Sequence, residues 1–336
     1  MKYLIRLKPL GEFLFGSEQS FSRDDLRKDT QNPKGKASFF ARSFMFPQPH
    51  SIFGMLRAEI LRKTKKMKLH INGEWVGLPK KREGDSKEWL EVVRLVGNEA
   101  FDFSKEINSG IIKEISECFI LKGDEVFYKV PNDNKLSPKK TDIEVSFNGR
   151  RKKFIDFGIN PKEFENDEFI SNNSFLKESD IFEKVVSVGI KKNSENEGFF
   201  QREGYKLKEG FEFGFFVELD EDIDLSDIVK LGGDRSYFKL TQETKELKMP
   251  EFKKKEGFER FVLTSEGYVD IDIEEYCDYI LGENEIFRGV KSGNRKTKRA
   301  RVLKRGTVLY ANDAQKVENL LKNHLYKFGY NKFKRS

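Results

Sequence analysis

A chain of 336 residues with 37% hydrophobic content and 32 phenylalanines is long enough for two domains of ordinary size, or one large one, and too aromatic to be disordered. Its 63 Lys and Arg against 56 Asp and Glu leave a net charge of only +7, so a basic binding surface must be local, a patch or a groove. Two cysteines, Cys118 and Cys277, give neither a disulfide framework nor a zinc motif, and no apolar run approaches the about 20 residues of a membrane helix, which predicts a soluble cytoplasmic protein with no membrane partner.

The opening MKYLIRLKPLGEF has no apolar signal-peptide core. From Tyr3 to Lys8 it alternates with period two, which predicts a first strand. Residues 16 to 43 are polar and read as a long loop. After Pro47-Gln48-Pro49, the residues Ile52, Met55, Leu56 and Ile60 share one helical face, with Ser51 as the expected cap. Gly54 interrupts this helix at a cost of roughly 1 kcal/mol against Ala, so a close backbone approach by RNA or a neighbouring strand is expected there.

A second helix is expected around Glu88 to Leu95, then a strand in DEVFYKV and an exposed loop in PNDNKLSPKK. In EVSFNGRRKKFI the Asn148-Gly149 pair between strand-like arms predicts a hairpin, with Arg150, Arg151, Lys152 and Lys153 beside its turn. Polar residues 158 to 183 suggest a domain boundary near 170, giving units 1–170 and 171–336. The second half opens with VVSVGIKK. Two aromatic strands around Lys208-Glu209-Gly210 follow and read as a hairpin. A short helix is expected at Asp224 to Leu231, ending at Gly232-Gly233, before the strand RSYFKL. The strand GTVLYA and the helix DAQKVENLLKNHLYK close the chain. The alternation predicts an α+β class of ferredoxin-like (RRM-like) units: antiparallel sheets, helices packed on them, and inserted loops and hairpins.

Most candidate chemistry fails on spacing. GVKSGNRKT has three residues between its glycines and Asn294 where a phosphate-binding loop needs Lys. Asp220, Asp222 and Asp224 begin like a calcium loop but continue with Leu225 and Leu231 at the required Gly and Glu positions, and read as helix-start acids. Asp270 and Asp272 read as charges on a strand edge. The three histidines, His50, His70 and His324, form no metal motif, and no cofactor is expected. A metal-independent ribonuclease would need one of them as base, with His50 the best placed.

The strongest local signal is FRGVKSGNRKTKRARVLKR, from Phe287 to Arg305, with nine basic residues and no acid: Arg288, Lys291, Arg295, Lys296, Lys298, Arg299, Arg301, Lys304 and Arg305. Such a tract expects a polyanion.

Several segments, in order, resemble one family. FPQPHSIFGMLRAEIL, DEVFYKVPNDN, VVSVGIKK with its aromatic hairpin, IVKLGGDRSYFKL, RGTVLYAND and FGYNKF are similar to the third subunit of type III-B, Cmr-type, CRISPR effector complexes, a RAMP-superfamily protein. The resemblance implies two ferredoxin-like domains in a non-catalytic subunit of an antiviral complex that holds the 5′ repeat-derived tag of the guide RNA. It implies as partners the CRISPR guide RNA, the large polymerase-like Cmr subunit and a neighbouring backbone RAMP subunit. His50, Ser51 and Arg57 carry over to the RNA face of the first domain, where Gly54 would let backbone N–H groups approach phosphates, and Gly232, Gly233 and Arg235 carry over to a glycine-bearing loop. The hairpin with Phe147 and Phe154 is the candidate for the family's nucleotide-displacing thumb. The equivalent type III-A subunit and a guide-processing RAMP endoribonuclease stay open as alternatives.

Overall fold

The computed structural model describes residues 1–16, 39–65, 87–147, 150–158, 166–191, 198–233, 236–269, 273–287, 290–291, 295–296 and 300–336. The first half runs β1 (Lys2–Pro9), β2 (Phe15–Gly16), β3 (Phe39–Phe44), α1 (Pro49–Lys63), α2 (Lys87–Val96), β4 (Ile112–Ile115), β5 (Phe119–Lys122), β6 (Glu125–Lys129), β7 (Lys139–Phe147), β8 (Arg150–Asp156), β9 (Glu168–Ile170) and β10 (Phe175–Lys177). A one-turn helix α3 (Glu178–Ile181) leads to β11 (Phe182–Lys191), β12 (Gly198–Leu207), β13 (Phe211–Leu219), β14 (Asp227–Lys230), β15 (Tyr237–Glu243) and β16 (Glu259–Leu263). After a 3-10 turn at Ile273–Tyr276 come β17 (Cys277–Leu281), β18 (Asn284–Phe287), β19 (Val290–Lys291), β20 (Arg295–Lys296), β21 (Ala300–Leu303), β22 (Val308–Ala311), α4 (Ala314–Leu321) and β23 (Phe333–Arg335).

The class is α+β with mostly antiparallel sheets. The main sheet has nine strands in the order β10-β9-β6-β5-β13-β1-β15-β14, with β4 also on β13. It takes strands from both sides of residue 170, so the expected boundary does not coincide with a sheet boundary. A second sheet runs β11-β12-β3-β2, with β12 and β3 parallel, and a third runs β17-β22-β16-β23.

Strand alternation builds the layers. Tyr3, Ile5 and Leu7 of β1 join Phe213 and Phe215 of β13 beneath Ile52, Leu56 and Ile60 of α1 in one core. Leu4 points the other way and packs with Phe119 and Leu121 against Val262, Val308 and Tyr310 of the third sheet. Behind that sheet, Phe261 and Leu309 meet Val317 and Leu321 of α4.

Four local expectations are corrected. Ser51 lies inside α1, which starts at Pro49 with Gln48 as cap, because proline's fixed φ suits the first helical position. The loop expected to 43 gives way to β3 at Phe39, its earlier part, 17–38, lying outside the described residues. The aromatic strands β12 and β13 do not pair, since the turn at Lys208 to Gly210 sends them into different sheets; β12 pairs with β11 and β3. The segment expected as a helix at Asp224 to Leu231 contains β14, antiparallel to β15. The acids before β14 are accordingly not helix starters: Asp222 accepts from the Tyr3 hydroxyl at 2.6 Å, and Asp224 from the Ser226 N–H at 2.9 Å.

The PNDNKLSPKK segment is not simply an exposed loop either. Its Asp133 is completely buried and accepts from Arg260 Nε at 2.7 Å and from the Tyr310 hydroxyl, joining this connection to β16 and β22. Removing one partner of a buried pair leaves the other charge unpaired, so Asp133→Ala is expected to lower unfolding free energy by about 3–5 kcal/mol in chemical denaturation; a loss under about 1 kcal/mol would refute this role. In α1 the opposite holds for Gly54: it is exposed, and an added Cβ meets no atom of the described residues within 4 Å. Gly54→Ala is expected to stabilise the fold by about 1 kcal/mol, read as a raised denaturation midpoint.

Candidate nucleic-acid interface

Where it is described, the basic tract forms a β-ribbon of two short antiparallel ladders. β18 and β21 pair from Asn284 opposite Leu303 to Phe287 opposite Ala300, and β19 and β20 continue with Val290 opposite Lys296 and Lys291 opposite Arg295. At its base, the Leu303 and Gly267 backbones exchange hydrogen bonds of 2.7 and 2.8 Å. Arg288, Lys298 and Arg299 lie outside the described residues, and for Lys291, Arg295 and Lys296 the backbone placement is what is described. Arg301 is exposed.

Toward the body of the protein the tract changes role. Lys304 pairs with Glu283 at 2.6 Å. Arg305 forms a fork with both Glu266 carboxylate oxygens at 2.8 and 2.9 Å, donates to the Cys118 carbonyl, and stacks over the Phe46 ring with its guanidinium carbon 4.1 Å from the centroid. Burial alone would lower its pKa, but the Glu266 charge and hydrogen bonds outweigh it and hold the cation.

The Asn-Gly hairpin forms as expected, with β7 and β8 paired from Lys139 opposite Asp156 to Phe147 opposite Arg150. Asn148 and Gly149 lie outside the described residues, and of Phe147 and Arg150 only the strand position is described. Arg151 and Lys153 are exposed, while Lys152 reaches back to the Glu274 carbonyl. Ile143, Val145 and Phe154 are 63%, 42% and 47% exposed, an apolar group that a purely structural hairpin would bury. Lys140 and Lys153 line a cleft of 570 Å³ with Phe258, Asp278 and Asn312, and the Lys140 ammonium sits 5.3 Å from the Phe258 ring centre.

At the start of α1 the side chains are engaged within the fold. His50 Nδ1 is 2.7 Å from the Tyr330 hydroxyl, and its ring stacks on Phe101 at 5.4 Å and lies parallel to Tyr330. Burial in this aromatic cluster pulls its pKa from 6.5 to about 4, so the ring is neutral near pH 7. Arg57 donates to the Glu99 and Gly97 carbonyls at 2.8 and 3.1 Å and lies over Phe53, clamping α1 to the chain after α2. Burial lowers its pKa. Ser51 is half-buried, and Gly54 is exposed, with no atom of the described residues within 4 Å of an added Cβ.

Gly232 and Gly233 form the β14–β15 connection. At Gly232, φ is +93° and a Cβ would stand 2.6 Å from the Leu14 carbonyl oxygen, while the Gly233 N–H donates to that oxygen at 2.8 Å. Gly232 is thus required by the approach of Leu14, whereas a Cβ at Gly233 would make only ordinary contacts, at 3.6 Å or more. Arg235 lies outside the described residues, as do His70, Asp270 and Asp272. His324 Nε2 is 2.9 Å from the Phe103 carbonyl.

Tyr330 and Phe101 meet His50 from distant parts of the chain, and such meetings leave no local periodicity in the sequence. Sequence reasoning also misses the ribbon, because lysine-rich strands have poor β-propensity, although Ser292-Gly293-Asn294 carries a turn composition. Among the described residues, no cluster of three or more His, Cys, Asp or Glu side chains is arranged to hold a metal, and no helix is long and apolar enough to cross a membrane.

Residues 152–270 match the family model described as CRISPR-associated protein (Cas_Cmr3). A chain of the type III-B Cmr-beta complex bound to cognate target RNA, solved by cryo-EM, aligns over 99% of this chain and 96% of its own, with 14% identity and a TM-score of 0.51. A chain of the same complex with cognate target RNA and AMPPnP, state 1, aligns with the same identity and coverage and a TM-score of 0.50. No curated protein matches the chain in sequence. The structural likeness speaks for the fold and the family match for the lineage of the central segment. The chain is thus similar to Cmr-type CRISPR-Cas subunits, in sequence over residues 152–270 and in fold over nearly its whole length.

Proposed function

We propose that the chain is a non-catalytic, RNA-binding subunit of a type III-B CRISPR RNA-guided antiviral effector complex. In this reading it holds the 5′ repeat-derived tag of the guide RNA, docks the large polymerase-like subunit and adjoins a neighbouring backbone RAMP subunit. The observation that carries the reading is the ribbon: basic positions concentrated on two-stranded ladders that join the body at their base, with Lys291 set opposite Arg295. Like charges directly opposite each other destabilise a bare ladder, and a bound polyanion reverses the sign of that contribution. The β7–β8 hairpin, basic and carrying exposed Val145 and Phe154, supports a second contact in which an apolar side chain displaces or stacks on a base.

The role of guide-processing ribonuclease fits the geometry less well. A general base works best with a pKa near the working pH, whereas His50 is held near 4 with its Nδ1 already bonded to Tyr330. The family match over 152–270 favours the type III-B setting over type III-A.

Replacing Arg295, Lys296, Lys298 and Arg299 with Ala is expected to weaken guide binding and flatten its log–log salt dependence by roughly 3, at about 0.7 per lost single-strand phosphate contact. An unchanged slope would remove the ribbon from the RNA site. For His50 the unfolded chain takes up the proton first, so its contribution to stability is present above pH 6.5 and lost as the pH falls through about 4. Urea titrations across that window should show a loss of about 3 kcal/mol that His50→Phe lacks, since the folded chain binds the proton roughly 300-fold more weakly and each tenfold is worth about 1.4 kcal/mol. His50→Ala should leave guide length unchanged; failure of guide maturation would point to the ribonuclease.

A further inference from the structure

The outer face of the main sheet is covered by the third sheet over Leu4, Phe119 and Leu121, and it is open at the corner where β1, β15 and β14 lie side by side. Lys8 of β1 stands directly opposite Lys239 of β15, which in turn stands opposite Ile228 of β14, and Lys230 stands opposite Tyr237. Their neighbours Leu7, Leu240, Val229 and Phe238 are buried in the core beneath, so these side chains point outward. All three lysines are exposed, Tyr237, Ile228 and Leu10 are 46%, 60% and 54% exposed, and the Leu10 N–H donates to the Tyr237 carbonyl at 2.9 Å.

The acids nearby are engaged elsewhere. Glu212, Glu243 and Asp124 gather on Arg6, with Lys245 also on Asp124, and Asp227 pairs with Arg62 and Lys63. Among the described residues Lys8, Lys230 and Lys239 have no ion-pair partner. A like-charge pair directly across a ladder is destabilising, and a flat aromatic ring flanked by two exposed aliphatic side chains is left in water beside it.

We propose that this corner is a second single-strand platform, separate from the ribbon, in which Lys8, Lys230 and Lys239 take backbone phosphates and Tyr237 stacks on a base. Charge alone would suit any polyanion. The ring and its apolar flanks select a strand with unpaired bases, since a duplex presents no free base face. The proposal rests on the RNA-binding reading above and adds a surface that reading does not name.

The test uses the full chain and fluorescein-labelled oligouridine, titrated between 50 and 200 mM salt. Replacing Lys8, Lys230 and Lys239 with Ser should reduce the log–log slope by roughly 2, for three contacts at about 0.7 each. Tyr237→Ala should weaken binding about tenfold or more, with Tyr237→Phe close to the parent. Lys239→Glu should abolish the platform with an unchanged or raised melting temperature, because it replaces a like-charge pair by an opposite one. If both the triple variant and Tyr237→Ala bind as the parent does while the ribbon variant loses binding, the platform is refuted and the RNA reading stands. Loss in the triple variant with Tyr237→Ala unaffected refutes the platform as a base-stacking site and leaves phosphate contact by the lysines alone. Salt-insensitive binding by the parent protein refutes the RNA reading itself.

Discussion

The main sheet must bury one face along its whole length and the other along only part of it, and most of the molecule follows from this. β1 records the constraint residue by residue. Tyr3, Ile5 and Leu7 enter the core beneath α1, while on the opposite face the chain passes from buried Leu4 through half-buried Arg6 to exposed Lys8. Where the third sheet lies against the main one, the facing positions are apolar; where it ends, they become charged. Burying a charged row there would carry a desolvation penalty that neither sheet could offset.

Charge is sorted by the same logic. Arg260 and Arg305 enter the interior, and each meets a carboxylate in fork geometry, Arg260 with Asp133 and Arg305 with Glu266. These pairs tie connections from distant parts of the chain to the third sheet. The cations that find no such partner stand on hairpins and open faces, where the density of like charge favours an anionic strand over solvent alone. The basic tract spans both regimes, with Arg301 exposed and Arg305 engaged in the body four residues later.

Much of this is legible in the sequence. The period of β1, the apolar stripe of α1, the Asn-Gly hairpin and the closing strand and helix all carry local signals strong enough to survive packing. What fails is tertiary in cause. β14 is four residues long, too short for an alternation to declare itself, and its Asp and Gly neighbours imitate helix ends, although Asp227 pairs with Arg62 of α1. β12 and β13 look like a hairpin because adjacency in sequence is normally adjacency in space, yet the strands part at Gly210, and β13 finds β1 across more than 200 positions. For the site, composition finds the ribbon's charge without its shape. His50 and Arg57 stand out by resemblance, and the fold engages both with their own chain. Gly54 has two candidate reasons in the sequence, and among the described residues no neighbouring strand approaches it.

The central claim, that this chain grips the guide RNA, is tested most directly by ultraviolet crosslinking of the complex assembled with its large subunit and a guide, followed by mapping of the crosslinked peptides and nucleotides. The account predicts crosslinks from the β18–β21 ribbon and the β7–β8 hairpin to the 5′ tag. A stable complex in which this chain carries no RNA crosslink would contradict it and leave a protein scaffold in its place.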